Sequence, residues 1–247
     1  MEKPLFAINP ALDRAALADR FACNGRIQVR DVLTRETAEE VRLILQQHTP
    51  WGLAFKAGDG PGIEPQQVLA QETRSSEGQQ KIQQLYRQTD DAARGGDYAF
   101  RYGQYSLVQA VQEGWNPGGP HELLLEHLNA PDFMDLVREI TGLPELVKAD
   151  GQATLYGPNH FLASHSDSHV AEGWRIAYVL NFTTDEWQRD WGGYLVFYDA
   201  DGDIVEGFRP RFNALNMFAV PQDHAVLYVP PFAPVGRFAI TGWFRDR

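Results

Sequence analysis

Two histidines and an aspartate are spaced in a way that suits a shared metal ion. His165 and Asp167 lie two positions apart, and in an extended segment such residues point to the same face. A second imidazole, His224, follows an apolar strand-like segment and precedes another segment that carries Arg237. Two imidazoles and one carboxylate on one face of an ion leave positions open for exchangeable ligands, which is an arrangement used for Fe(II).

Other residues compete for these roles. With 7 His in the chain, random placement gives on average about half a His-x-Asp pair per chain, so the pair alone is weak evidence. His169 is a rival third ligand, although three ligands from one short segment would strain the geometry. The single cysteine, Cys23, excludes an internal disulfide framework and a Cys-rich zinc site, so any metal must be held by His, Asp or Glu.

The elements that position these residues change type along the chain. Apolar residues spaced by three and four predict helices at residues 34–48, 77–94, 121–128 and 131–141. Pro131 suits a first helical turn, and Gly142 suits a helix stop. Short β-branched and aromatic runs then predict strands at 175–181, 193–198, 214–220 and 237–244. Many short strands separated by Gly, Pro and Asp turns favour a sandwich or barrel.

Composition narrows the class of protein. The 247 residues, with 43% hydrophobic side chains, fit a folded domain and exclude disorder and fibrous repeats. A net charge of -11 argues against a protein that binds nucleic acid directly and allows a basic partner. The N-terminal apolar run is too short for a signal peptide, and no stretch could span a bilayer. We therefore expect a cytoplasmic protein without membrane contact.

Seven short motifs between residues 156 and 244 resemble, in order and spacing, the Fe(II)/2-oxoglutarate-dependent dioxygenases, and most of all their prolyl 4-hydroxylase-like group. The motifs are residues 156–161, 165–167, 175–181, 191–193, 213–218, His224 and 236–244. The Gly-Trp-Phe ending and the connection over residues 185–193 are most similar to the ribosomal-protein prolyl hydroxylases. Asn159 stands where relatives often have Gly, and Asn tolerates a left-handed backbone.

The resemblance implies an α+β fold with a double-stranded β-helix, or jelly-roll, core and N-terminal buttressing helices. Residues 1–247 would form a single oxygenase domain, with 1–145 mainly helical support and 146–247 the catalytic core. His165, Asp167 and His224 would be both the catalytic residues and the metal ligands. The implied cofactors are Fe(II), the cosubstrate 2-oxoglutarate and O2, with ascorbate as a supporting reductant.

The resemblance also assigns residues to the cosubstrate. Arg237 would bind the distal carboxylate of 2-oxoglutarate, because a planar guanidinium pairs with a carboxylate through two parallel hydrogen bonds. Thr241 shares the strand face of Arg237 and is expected in the same pocket. Tyr178 stands where relatives place a hydroxyl on that carboxylate. By strand alternation, Asn181 is then expected on a structural face together with Arg175.

The sequence gives the weakest indication of which residues contact the substrate. Tyr156 and Trp243 are candidates, and an aromatic-rich stretch adds Arg101 and Tyr102; each could equally be a packing residue. The expected reaction is hydroxylation of an aliphatic C–H bond, first of a prolyl residue in a protein. The net charge of -11 favours a basic, translation-related protein as that substrate. A free amino acid or small metabolite is the alternative substrate. A non-catalytic jelly-roll and a cupin-like isomerase are the alternative classes.

Overall fold

The computed structural model describes residues 5–167 and 170–247, and its centre is a rolled antiparallel sheet. The strands are β1 (Arg26–Arg30), β2 (Gly52–Ala57), β3 (Gln66–Val68), β4 (Ala99–Ser106), β5 (Lys148–Ala149), β6 (Gln152–Tyr156), β7 (Phe161–Ser166), β8 (Trp174–Asn181), β9 (Leu195–Tyr198), β10 (Ile204–Phe208), β11 (Ala214–Ala219), β12 (Asp223–Val226) and β13 (Arg237–Arg245). The helices are α1 (Arg14–Asn24), α2 (Arg35–Leu43), α3 (Ser76–Gly95), α4 (Leu107–Gln112), α5 (Pro120–Leu128) and α6 (Pro131–Thr141).

The sheet is an almost closed jelly-roll, which confirms the predicted fold class. Its hydrogen-bonded strand order is β1-β11-β8-β13-β6-β4-β7-β12-β9-β10, with β2, β3 and β5 attached to the side. The two end strands come close enough for Arg26 on β1 to donate to Glu206 on β10 at 2.6 Å. Rolling brings strands that are distant in sequence around one interior, where a site can form.

Alternation along the strands separates two cores. On β8, Ala177 and Val179 face the interior of the roll, whereas Ile176, Tyr178 and Leu180 belong to an outer core beneath the helices. Fully burying one such large apolar side chain contributes about 1.5–3 kcal/mol, so the outer core anchors the helices on the sheet.

The sequence of α6, the last helix before the C-terminal strands, explains why this helix packs against the sheet. In α6, the apolar residues Phe133, Leu136, Val137 and Ile140 recur every three or four positions, and all four are buried. Pro131 occupies the first turn, and Gly142 ends the helix in the left-handed conformation with φ 70°. Both features were predicted from the sequence.

The other predicted elements are present, with additions. The helix expected at residues 34–48 is α2 followed by a π-helical turn at Ile44–His48. The sequence analysis did not predict the N-terminal strands β1, β2 and β3, and it left the stretch that forms β4 open. Residues 1–145 therefore supply sheet strands as well as helical support. Within the described part of the chain, no helix is long and apolar enough to cross a bilayer.

Candidate active site

Three potential metal ligands meet inside the roll. His165 lies near the end of β7, Asp167 follows that strand, and His224 on β12 is the direct cross-strand partner of His165. One donor atom from each residue lies within 4.8 Å of the others. Asp167 Oδ1 is 3.4 Å from His165 Nε2, and Asp167 Oδ2 is 3.8 Å from His224 Nε2. The structure thus brings the three predicted ligands together.

The hydrogen bonds of both imidazoles leave the inward nitrogen free. His165 Nδ1 lies 3.0 Å from the Ala163 carbonyl, and His224 Nδ1 lies 2.9 Å from the Gln222 carbonyl. Because a carbonyl oxygen only accepts, each Nδ1 carries the proton and each Nε2 keeps its lone pair toward Asp167. This donor set fits a divalent metal ion such as Fe(II).

Burial and neighbouring groups shift the pKa values of His224 and Asp167. Burial lowers the pKa of His224 to about 4, and the neighbouring His165 adds to this effect. Burial alone would raise the pKa of the Asp167 carboxyl, but its polar neighbours His165, His224 and the Trp243 N–H together hold that pKa below its usual value. Neutral imidazoles beside a carboxylate are the protonation states that bind metal.

Trp243 lies directly against this group. Its indole Nε1–H donates to Asp167 Oδ2 at 2.9 Å, and its ring stacks on Trp174 with centroids 3.9 Å apart. The candidate substrate residue is therefore a positioning contact for the carboxylate as well as part of the cavity wall.

Arg237 is buried in the same cavity. It is 1% exposed, and burial lowers its pKa to about 10. Its Nε donates to Asn181 Oδ1 at 3.2 Å, its Nη1 donates to the Gly193 carbonyl at 2.9 Å, and its guanidinium carbon lies 5.4 Å from the centroid of the Tyr156 ring. No carboxylate among the described residues lies within ion-pair distance of it. A buried cation held by neutral partners is a binding site for an anion.

The backbone at the Gly192-Gly193 pair is fitted closely to this arrangement. Gly192 has φ 62°, and a Cβ there would lie 2.0 Å from the Tyr228 carbonyl oxygen. Only glycine fits this position, and it allows the following carbonyl of Gly193 to reach Arg237.

The cavity has a volume of about 430 Å³, within the usual range for small-molecule sites. Thr241, Tyr156, Tyr102 and Trp243 line it, as the sequence analysis expected for Thr241. The rings of Tyr102 and Tyr156 stack at 5.1 Å, and burial raises the pKa of Tyr102 to about 12. Their hydroxyl groups therefore stay protonated at neutral pH.

Tyr178 borders the cavity, but its hydroxyl is not turned toward Arg237 as the sequence analysis expected. Its ring lies in the outer core, 4.8 Å from the Phe244 ring, and its hydroxyl donates to the Asp150 carbonyl at 2.8 Å. Because side chains alternate along β8, Asn181 faces the interior in its place and contacts Arg237. The sequence analysis put Asn181 on the wrong face, since it started the alternation from Tyr178.

Arg101, the other candidate substrate contact, does not line the cavity. On β4 it lies between the inward-facing Phe100 and Tyr102 and points away from the cavity. It donates to Asp90 at 2.6 Å and to the Asn159 carbonyl at 2.6 Å, so it joins β4 to α3 and to the turn before β7. Asn159 itself has φ 70°, which confirms the expected left-handed backbone. The rival ligand His169 lies outside the described residues.

Comparisons with known proteins agree with this geometry. Residues 151–245 match the family model of the 2OG-Fe(II) oxygenase superfamily. The chain is 30% identical over 155 residues to the mouse protein named prolyl 3-hydroxylase OGFOD1; the match includes 60% of this chain and only 28% of the mouse protein. The match therefore spans less than a third of that relative.

Two solved structures share the fold. A Pseudomonas putida prolyl-4-hydroxylase has a TM-score of 0.57 and 17% identity, covering 98% of this chain and 95% of its own. A prolyl hydroxylase in complex with a hypoxia inducible factor oxygen degradation domain peptide fragment, from Trichoplax adhaerens, has a TM-score of 0.58 and 15% identity, covering 94% and 89%. At such identities, the likeness supports the fold alone.

Proposed function

We propose that this chain, whose residues 151–245 match the 2OG-Fe(II) oxygenase superfamily, is a 2-oxoglutarate-dependent enzyme that hydroxylates an aliphatic C–H bond of a prolyl residue in a protein. The proposed coproducts are succinate and CO2. We further propose that residues 1–247 act as one oxygenase domain, because strands from both parts of the chain share one sheet.

One observation carries the proposal: three metal donors and a buried, carboxylate-free Arg237 line the same cavity. His165, Asp167 and His224 would hold Fe(II), and Arg237 would bind the distal carboxylate of 2-oxoglutarate. Thr241 lines the same cavity and offers a hydroxyl for hydrogen bonding.

The iron and its cosubstrate supply the oxidative chemistry when bound. The contribution of the chain is to fix the ligands and to shape a dry cavity. Asn181 and the Gly193 carbonyl hold the guanidinium of Arg237, and Trp243 holds Asp167, so the anion and metal subsites keep a fixed separation.

The walls of the cavity favour a peptide-borne ring over a highly polar metabolite. Tyr98, Phe100 and Tyr102 form an aromatic side, and the Tyr98 ring lies 5.3 Å from the His165 ring. Lys56 and Asp59, which bond to each other at 2.7 Å, lie on the same cavity wall. Aromatic faces with few charges suit a pyrrolidine ring. A net charge of -11 further favours a basic protein substrate, such as one related to translation.

Cytoplasmic location remains our proposal, since Cys23 is exposed and free, as a reducing compartment allows.

The test combines succinate measurement with mass spectrometry of proline-containing peptides. With Fe(II), 2-oxoglutarate and ascorbate, we expect succinate formation and a peptide mass increase of one oxygen. His165→Ala and Asp167→Ala should abolish both, whereas the matched control His48→Ala, at an exposed histidine, should leave them unchanged. Equal succinate from all variants would refute the oxygenase proposal. Turnover of free proline without turnover of any peptide would refute the protein substrate and favour the small-metabolite alternative.

A further inference from the structure

A second concave surface lies where the rolled sheet fails to close. This seam groove has a volume of about 890 Å³ and is lined by five arginines together with Tyr194: Arg20, Arg30, Arg189, Arg209 and Arg211. None of its lining residues contributes to the cavity that contains the metal donors. The groove is therefore a separate site.

The charge of the seam groove is opposite to that of the whole protein. The chain carries -11, yet the groove collects five guanidinium groups and a single carboxylate, Glu206. Glu206 is already bonded to Arg26 at 2.6 Å. Among the described residues, no carboxylate lies within ion-pair distance of the five groove arginines.

Arg211 lies near the positive charges of two other groove arginines. Burial lowers the pKa of Arg211, and the positive charges of Arg209 and Arg30 lower it further. The Nε of Arg209 is buried and has no hydrogen-bond partner among the described residues. Collecting like charges and leaving a buried donor unpaired both cost free energy, and an anion in the groove would offset both costs.

The backbone beside the arginines is also unpaired. β1 and β10 are the two ends of the strand order, so each has one free edge within the described chain. Side chains bridge the gap between them, as in the bond from Arg26 on β1 to Glu206 on β10 at 2.6 Å. On β10, Ile204 is 54% exposed and Val205 is 50% exposed. An exposed, apolar edge strand is a template for an added strand.

We propose that the seam groove binds an extended acidic peptide segment that pairs with the free edge of β10 and places its carboxylates on Arg209, Arg211 and Arg30. Arginine forks bind carboxylates in a bidentate manner, which suits the carboxylates of such a peptide. A nucleic acid fits less well, because a long polyanion would meet the negative charge of the remaining surface.

The binding test uses a fluorescent peptide of alternating Glu and Val and follows its anisotropy at low and physiological salt. We expect saturable binding that weakens as salt rises, and no binding of the matched peptide with Gln in place of Glu. The double variant Arg209→Gln/Arg211→Gln should bind at least about tenfold more weakly. The control Arg74→Gln/Arg87→Gln removes the same charge from exposed positions elsewhere and should change affinity less than about twofold.

Further variants and ligands test each part of the proposal separately. Arg30→Gln, at an exposed position, serves as the test variant if the double variant does not fold, and it should also weaken binding. A peptide with alternate N-methylated amides should bind more weakly, and equal binding would refute strand addition. Equal binding to the double variant would refute the site. Displacement by RNA or tripolyphosphate at lower concentration than by peptide would replace the acidic peptide with a phosphate ligand and overturn the assignment.

Discussion

Asn181 and Tyr178 lie on opposite faces of β8, and they offer a sharp test of how the anion subsite is built. Asn181→Ala removes the acceptor of Arg237 Nε and leaves the guanidinium held by Gly193 and the Tyr156 ring. A hydrogen bond to a charged group contributes about 1.5–3 kcal/mol. If most of that serves to orient Arg237, the affinity for 2-oxoglutarate should fall about tenfold to hundredfold.

Tyr178→Phe is the matched control on the same strand. It removes only the hydroxyl that donates to the Asp150 carbonyl and keeps the ring in the outer core. We expect a loss of about 1 kcal/mol in the free energy of unfolding and a fall of roughly 2–4 °C in Tm.

The assay measures succinate against 2-oxoglutarate concentration for both variants, together with thermal unfolding. The KM for 2-oxoglutarate should rise in Asn181→Ala and stay within about twofold in Tyr178→Phe. The opposite pattern, a tenfold rise in Tyr178→Phe with no change in Asn181→Ala, would mean that Tyr178 reaches the cosubstrate, and it would refute the assignment of faces on β8.

Three further predictions follow from other contacts. Trp243→Phe removes the indole donor to Asp167, so the Kd for Fe(II), measured by chelator competition, should rise about tenfold or more; an unchanged Kd would contradict the positioning role. Arg101→Met breaks the bond to Asp90, and urea unfolding should show a loss of about 2–4 kcal/mol with the KM values unchanged. Burial lowers the pKa of His121 to about 4 in the folded state, below its ordinary 6.5, so its neutral form favours folding: that stability is complete above pH 6.5 and lost as pH falls toward 4. The wild type should therefore lose more stability over this window than His121→Gln, and parallel pH profiles would contradict this.

The C-terminal half could be predicted from the sequence because its signals are local. His165 and Asp167 lie two positions apart at the end of one strand, and the β-branched run after residue 236 marks the strand of Arg237. The N-terminal strands were harder, because β2 and β3 carry Gly, Lys and Gln residues. Pairing stabilises them rather than their own periodicity, since β2 pairs with β4 and β3 pairs with β2.

The sequence also did not reveal which face of each strand points into the interior. Alternation fixes which residues share a face but not which face points inward. On β8 both faces are buried, so Tyr178 and Asn181 gave no hydropathy signal to separate them. Only the position of Arg237 across the sheet shows that the interior takes Asn181.

The central claim is that one cavity joins a metal held by His165, Asp167 and His224 to an anion subsite at Arg237. Anaerobic calorimetry of 2-oxoglutarate binding to the Fe(II)-loaded protein tests it most directly. We predict metal-dependent binding to the wild type, and Arg237→Ala with unchanged Fe(II) affinity but at least about tenfold weaker 2-oxoglutarate binding. Equal 2-oxoglutarate binding to Arg237→Ala, or loss of Fe(II) binding in that variant, would contradict the claim.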